Sequence, residues 1–207
     1  MPNLLCFLDM QDEQKSKWAR YYRDTAGKLQ SPLLQKALGF VLDRDAALDL
    51  GAGALRDTKF LLENGFKKIV AVDADASFLD KVTALHDPRV EGHVSTFDAF
   101  TYEVSAYDLV NAQWALPFSP PHTFTETFLK IKTSLKLGGI FVGQFFGLND
   151  EWNVEENKKR MIFLSGEQVH DLLDDVEVIT LSESEKDGLT ASGKAKHWHV
   201  YYVIARK

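Results

Sequence analysis

The chain has 207 residues, 45% hydrophobic and 26% charged, which fits one globular domain with an ordinary core and requires no second. A formal charge of -6 and a pI near 5.5 argue against broad nucleic-acid or anionic-membrane binding, which needs a clustered positive face, and weakly favour a small-molecule partner. Cys6 is the single cysteine, so an intramolecular disulfide framework and a cysteine zinc cluster are excluded and a reducing, cytoplasmic setting is expected.

The opening MPNLLCFLDM has no basic flank and no small-residue cleavage site, so no signal peptide is expected; no run nears the ~18 apolar residues of a spanning helix. Over residues 11–25, Trp18, Tyr21 and Tyr22 recur at helical spacing, either packing on the core or serving a site. Ser31 and Pro32 read as an N-cap and first helical residue, opening a helix to Leu38 that Gly39 ends. Residues 1–40 are thus expected to form a helical cap on a domain spanning 1–207.

The stretch LDLGAGALRDTKFLLENGFKKIVAVD organises the rest of the chain. Strand 46–50 carries Asp49, a turn passes through Gly51, Ala52 and Gly53, helix 55–64 stops at Gly65, and strand 69–72 delivers Asp73 and Ala74. Such a unit binds a nucleotide-like ligand at the strand ends, where glycines admit the backbone and a helix N-terminus faces the ligand. A dinucleotide turn wants a third glycine where Arg56 stands, Asp49 would repel a pyrophosphate, and the Gly-Lys-Ser/Thr of a triphosphate loop is missing. An acid there suits a ligand carrying an ammonium and a sulfonium, as S-adenosylmethionine (SAM) does. Asp73 stands about 20 residues beyond the glycines, where an acid accepts from ribose hydroxyls.

Further along, helix 76–84 follows Asp75, which either caps it or touches ligand, and strand 90–96 leads to Asp98-Ala99-Phe100. Strand 107–113 runs through Asn111 to Gln113 and Trp114; helix 122–136 is ended by Leu137-Gly138-Gly139, and strand 140–145 comes next. The insertion 147–164, with Glu151, Trp152 and Arg160, lies at the same sheet edge as the turn and is placed to shape substrate choice. Ser165 with Gln168 is a capping box for a helix to Leu173, and strands 176–184 and 197–205 form a closing hairpin. His197 and His199 share a strand face and leave three readings open: packing, a substrate-orienting or proton-accepting imidazole, and a metal pair that lacks a third ligand at recognisable spacing.

On the acid-x-Gly-x-Gly turn and the acid closing the second strand, the chain resembles the class I SAM-dependent methyltransferases, in particular the tellurite-resistance type and related small-molecule enzymes. The resemblance covers roughly Trp18 to the C-terminus and departs at Leu55, where the family often has a third glycine. It implies a Rossmann-like three-layer α/β sandwich with a mostly parallel seven-stranded sheet and a C-terminal antiparallel hairpin, and it implies SAM as cofactor with S-adenosylhomocysteine as product. Asp49, Gly51, Ala52, Gly53, Asp73, Ala74 and Asn111 would hold the cofactor, Asp98, Ala99 and Phe100 its adenine, and Tyr22 its methionine end. Gln113, Trp114, His197 and His199 would face a small-molecule acceptor, in a monomer or homodimer without metal. The Asn/Asp-Pro-Pro-aromatic motif of amino-directed DNA and protein methyltransferases is not met by Asn111-Ala112-Gln113-Trp114, which gives base methylation no support. A nicotinamide oxidoreductase and a non-catalytic SAM-binding module are the alternatives.

Overall fold

The computed structural model describes residues 30–207. The expectations for Trp18, Tyr21 and Tyr22 fall outside them. Among the described residues, seven strands form one sheet in the order β3-β2-β1-β4-β5-β7-β6. Strands β1 (Ala46–Leu50), β2 (Lys68–Asp73), β3 (Val90–Val94), β4 (Tyr107–Ala112) and β5 (Leu135–Phe146) pair in parallel. The long hairpin β6 (Glu177–Leu189) and β7 (Ala195–Arg206) adds antiparallel strands, with β7 inserted beside β5. The order reverses between β1 and β4, and in open α/β sheets a ligand crevice forms beyond the strand ends at such a switch.

The central strands are apolar on both faces, as a sheet covered on both sides demands. Leu48, Val70, Val110 and Phe141 face a layer with α4 (Phe124–Ser134), whose Phe128 and Ile131 are fully buried. On the other face, Ala47, Leu109 and Ile140 pack with Leu34 and Ala37 of α1 (Pro32–Ala37) and Leu61 of α2 (Arg56–Glu63). Each such large side chain contributes about 1.5–3 kcal/mol of burial. Two further helices stand among the described residues, α3 (Phe78–Leu85) after β2 and α5 (Gly166–Leu172) before the hairpin.

Three local expectations change. Gly39 does not end a helix: α1 stops at Ala37, and Leu38–Phe40 tighten into a 3-10 turn. Ser31 does not cap α1 through its side chain; its hydroxyl donates to Gln113 Oε1 instead. The Gly138-Gly139 pair lies inside β5 rather than after α4: Gly138 has φ +82°, and a Cβ on Gly139 would sit 2.9 Å from the carbonyl oxygens of Lys136 and Tyr107. The glycines absorb the register shift against β4 between Tyr107 and Leu109. The capping box at Ser165 and Gln168 forms in both directions.

Candidate functional site

The turn after β1 is pinned by backbone to β2. The amides of Gly51 and Ala52 both donate to the Val72 carbonyl, at 2.8 and 3.1 Å, and the Gly53 amide donates to Asp73 Oδ2 at 2.8 Å. Gly51 sits at φ +76°, and a Cβ there would stand 2.7 Å from that of Ala115 and 3.7 Å from the Phe97 ring. The turn therefore touches the segments following β3 and β4 at one place. Leu55 adopts the left-handed conformation at φ 59° that a third glycine would relieve, at a cost of about 1–3 kcal/mol. Its side chain is fully buried against Ala52, Ala71 and Phe78, which offsets that strain.

Asp73 is buried and shapes two loops at once, accepting from Gly53 on one oxygen and from the Asp75 amide at 2.9 Å on the other. A carboxylate oxygen accepts more than one hydrogen bond, which is the capacity a ligand hydroxyl uses. Asp75 in turn accepts from the Ser77 amide at 2.9 Å at the start of α3, while Ala74 is exposed between the two acids.

Asp49 is 2% exposed and points into the protein. Its carboxylate accepts from the Thr58 hydroxyl and, at 2.8 Å, from Asn111 Nδ2 on the neighbouring strand, where the two residues are in register. Burial, with the charge of Asp57 nearby, pushes its carboxyl up to about 6, against the pull of those donors. Asp57 accepts from the Ser31 amide and from the Arg56 guanidinium, at 3.1 and 2.9 Å. A polar layer thus lies between α1, α2 and the upper ends of β1 and β4.

That layer continues to β5. Gln113 Oε1 accepts from Ser31 and from Gln144 Nε2, and Gln144 Oε1 accepts from the Trp114 amide at 2.8 Å. Trp114 is held at φ 56° at the head of the loop after β4. Asn111 Oδ1, Gln113 Nε2 and Asp98 Oδ1 are buried without a hydrogen-bond partner among the described residues. Buried polar atoms are normally paired, so three orphans near one turn call for a polar ligand offering both donors and acceptors. SAM, with its adenine amine, ribose hydroxyls and amino-acid end, matches that demand.

Asp98 lies in the turn after β3; burial, with the charge of Asp98 adding to it, raises the Tyr102 hydroxyl well above the usual tyrosine range. Ala99 beside it is exposed. Phe100 packs into the core edge-on to Tyr102 and His93, at 5.0 and 5.7 Å between ring centroids. Half-buried Phe97 is the aromatic ring that reaches the glycine turn.

Beyond β4, β5 and β7 the wall is aromatic. Trp114 meets Trp198, Tyr202 and Phe146 at 5.5, 6.2 and 6.3 Å, and Phe118, Trp152 and Phe163 extend the cluster. Arg160 is exposed at the insertion, and Glu151 accepts from the His197 amide at 2.7 Å. Both nitrogens of His197 face carboxylates, Asp187 at 2.8 Å and Glu185 at 3.2 Å, which raise its pKa. His199 is buried, with Nδ1 accepting from the Asn149 amide at 3.1 Å and Nε2 against Glu183 at 2.7 Å; its ring occupies the space a side chain on Gly147 would need. No group of three or more histidine, cysteine or acidic residues among the described residues could hold a metal.

Sequence reasoning missed the contacts that Ser31, Thr58, Phe97 and Gln144 make around the turn. One signal was available: an amide in the apolar run IFVGQFF must find buried partners.

The family model described as "AdoMet dependent proline di-methyltransferase" matches residues 25–200. Alpha N-terminal protein methyltransferase 1 of Dictyostelium discoideum is 36% identical over 104 residues, 48% of this chain and 38% of that protein. Its Arabidopsis thaliana counterpart is 33% identical over 103 residues, 46% of this chain and 37% of that protein. The chain spans about two fifths of the length of these curated relatives. Among solved structures, TehB from Haemophilus influenzae superposes with a TM-score of 0.69 at 14% identity, covering 84% of this chain and 61% of that one. The 1,6-didemethyltoxoflavin-N1-methyltransferase of Burkholderia thailandensis, crystallised with S-adenosylhomocysteine, gives 0.65 at 17% identity, covering 96% and 89%. At those identities the solved structures share the fold.

Proposed function

The chain belongs to the AdoMet dependent proline di-methyltransferase family and is a SAM-dependent methyltransferase, and from that premise we propose that it methylates a small molecule whose nucleophile, foremost a nitrogen, arrives uncharged. What supports this acceptor is the wall around Trp114: it is aromatic, and the carboxylate within it, Asp150, is already neutralised by Lys196, with both side chains sealed from solvent. A flat apolar acceptor gains from ring contacts there, whereas an ammonium finds no unpaired charge in that cluster.

When bound, SAM supplies a methyl carbon on a positively charged sulfur, open to in-line displacement. In the proposed site Asp73 accepts from the ribose, Asp98 from the adenine amine, and Phe97 covers the ring. Arg56 pairs with the carboxylate at the methionine end. Asp49 acts at one remove, holding Asn111 and Thr58 so that Asn111 Oδ1 is presented to the ligand. Gln113 Nε2 donates across the junction between cofactor and acceptor. Trp114, fixed through Gln144, positions the acceptor and excludes water, and holding the reacting pair at attack distance accounts for much of such a barrier. A neutral nitrogen needs no base before transfer, and its surplus proton leaves afterwards to water. No proton-accepting role falls to His197 or His199, whose ring nitrogens are engaged elsewhere.

A second reading has its own support. The matched relatives are named as alpha N-terminal protein methyltransferases, and an aromatic wall also suits the ring of an N-terminal proline. Tritium transfer from labelled SAM into neutral heteroaromatic amines and into peptides beginning with proline separates the two. Labelled amine with silent peptide supports the small acceptor. Labelled peptide, gaining one or two methyl groups by mass, overturns it in favour of the second reading. Retained S-adenosylhomocysteine binding with no transfer to either, or to a metabolite extract, leaves a non-catalytic module.

A further inference from the structure

Lys196, near the start of β7, points its ammonium into a ring cage. Its Nζ lies 3.6 Å from the ring centroid of Trp198, 4.4 Å from that of Trp152 and 5.0 Å from that of Phe146. It donates to both oxygens of Asp150, at 2.6 Å to Oδ1, and approaches the His197 carbonyl at 3.4 Å. The two side chains are 1% and 0% exposed. Asp150 is held independently of the lysine, accepting from the amides of Trp152 at 3.0 Å and His199 at 3.3 Å. Residues 146, 150, 152 and 198 therefore build the receptor, and residue 196 supplies only its occupant. Ring faces around a cation beside a fixed carboxylate are how proteins recognise free ammonium ligands. Burial draws the Lys196 ammonium below its ordinary range, and the Asp150 carboxylate opposes that shift.

We infer that this cage is an ammonium-binding site, of a size for a primary alkylammonium, which Lys196 fills from within. Its consequence for specificity rests on the acceptor site proposed above: Trp198 borders both the cage and Trp114, so the filled cage keeps a bare carboxylate away from the acceptor wall. Lys196 is then a positioning residue that sets the charge of that wall and touches no reacting atom.

Lys196→Ala removes three carbons and the ammonium, the outline of n-propylammonium. The expected result is a melting temperature well below wild type that recovers by several degrees in ~10–100 mM n-propylammonium and not in 1-propanol, with wild type unmoved by the cation. The double variant Lys196→Ala, Asp150→Asn should lose this recovery. Equal shifts with amine and alcohol, or none with either, overturn the assignment. If Lys196→Ala does not fold alone, refolding with n-propylammonium is the readout: recovery with the cation only supports the cage, and recovery with neither overturns it. This measurement needs no methyl transfer, so the cage and the acceptor assignment fail separately.

Discussion

The two halves of the upper sheet edge handle polarity in opposite ways. Around the ends of β1, β3 and β4, polar side chains reach inward and stop short of satisfying one another, leaving Asn111 Oδ1, Gln113 Nε2 and Asp98 Oδ1 without a hydrogen-bond partner among the described residues. Around β5 and β7, the buried Lys196 and Asp150 close on each other and aromatic rings supply most of the remaining surface, with Asn153 Oδ1 also unpartnered among the described residues. In the proposed site the half with unpartnered polar atoms suits a ligand of fixed polarity, which a cofactor is. In the proposed site the largely apolar half asks for shape more than polarity, which suits an acceptor that is released after each turnover.

The sharpest way to break this division is at the turn. Gly51→Val would force a side chain into Ala115 at an unfavourable φ, and strain plus overpacking should cost about 3–5 kcal/mol of stability and abolish detectable S-adenosylhomocysteine binding. Urea melts and calorimetry check both. Asp49 gives a smaller effect with a defined sign. Folding raises its pKa from 3.8 to about 6, so the native state holds that proton more tightly; the contribution is fully present below 3.8 and is lost as pH rises through about 6. The loss amounts to roughly 2–3 kcal/mol by pH 7. Asp49→Asn should flatten melting temperature against pH between 4 and 7, and an unchanged slope would count against a buried Asp49 with a raised pKa. The smallest effect belongs to exposed pairing. His197 has a raised pKa, so its partners Asp187 and Glu185 stabilise the fold below 6.5 and lose that hold as pH rises through the folded value. His197→Ala should lower the melting temperature slightly at pH 5.5 and not at pH 8.5, with methyl transfer retained at both.

The turn and its acids were legible because their signals are local. Gly51 and Gly53 bend the chain where they stand, and Asp49 and Asp73 sit at strand ends that hydrophobic periodicity alone locates. The direction in which Asp49 points was not legible, since Thr58 and Asn111 reach it only through the packing of α2 and the register of β4. Ser31 looked like a helix cap for the same reason: residue type announces a hydroxyl in need of a partner, and only tertiary contact selects Gln113 over the backbone. Gly138 and Gly139 were misplaced because a glycine pair after a helix and a glycine kink inside a strand share one composition. Phe100 and Phe97 differ by which face of the chain they occupy in an irregular turn, where no periodicity assigns faces.

Calorimetric titration of S-adenosylhomocysteine into Asp73→Ala and Trp114→Ala, side by side with wild type, tests the division of labour most directly. Asp73→Ala removes the clamp on Gly53 and Asp75 and should weaken binding by about 30-fold or more, the ~2 kcal/mol scale of charged hydrogen bonds. Trp114→Ala should bind within about two-fold of wild type while its transfer rate falls. Equal losses in the two variants, or an Asp73→Ala protein that binds as wild type does, would contradict it.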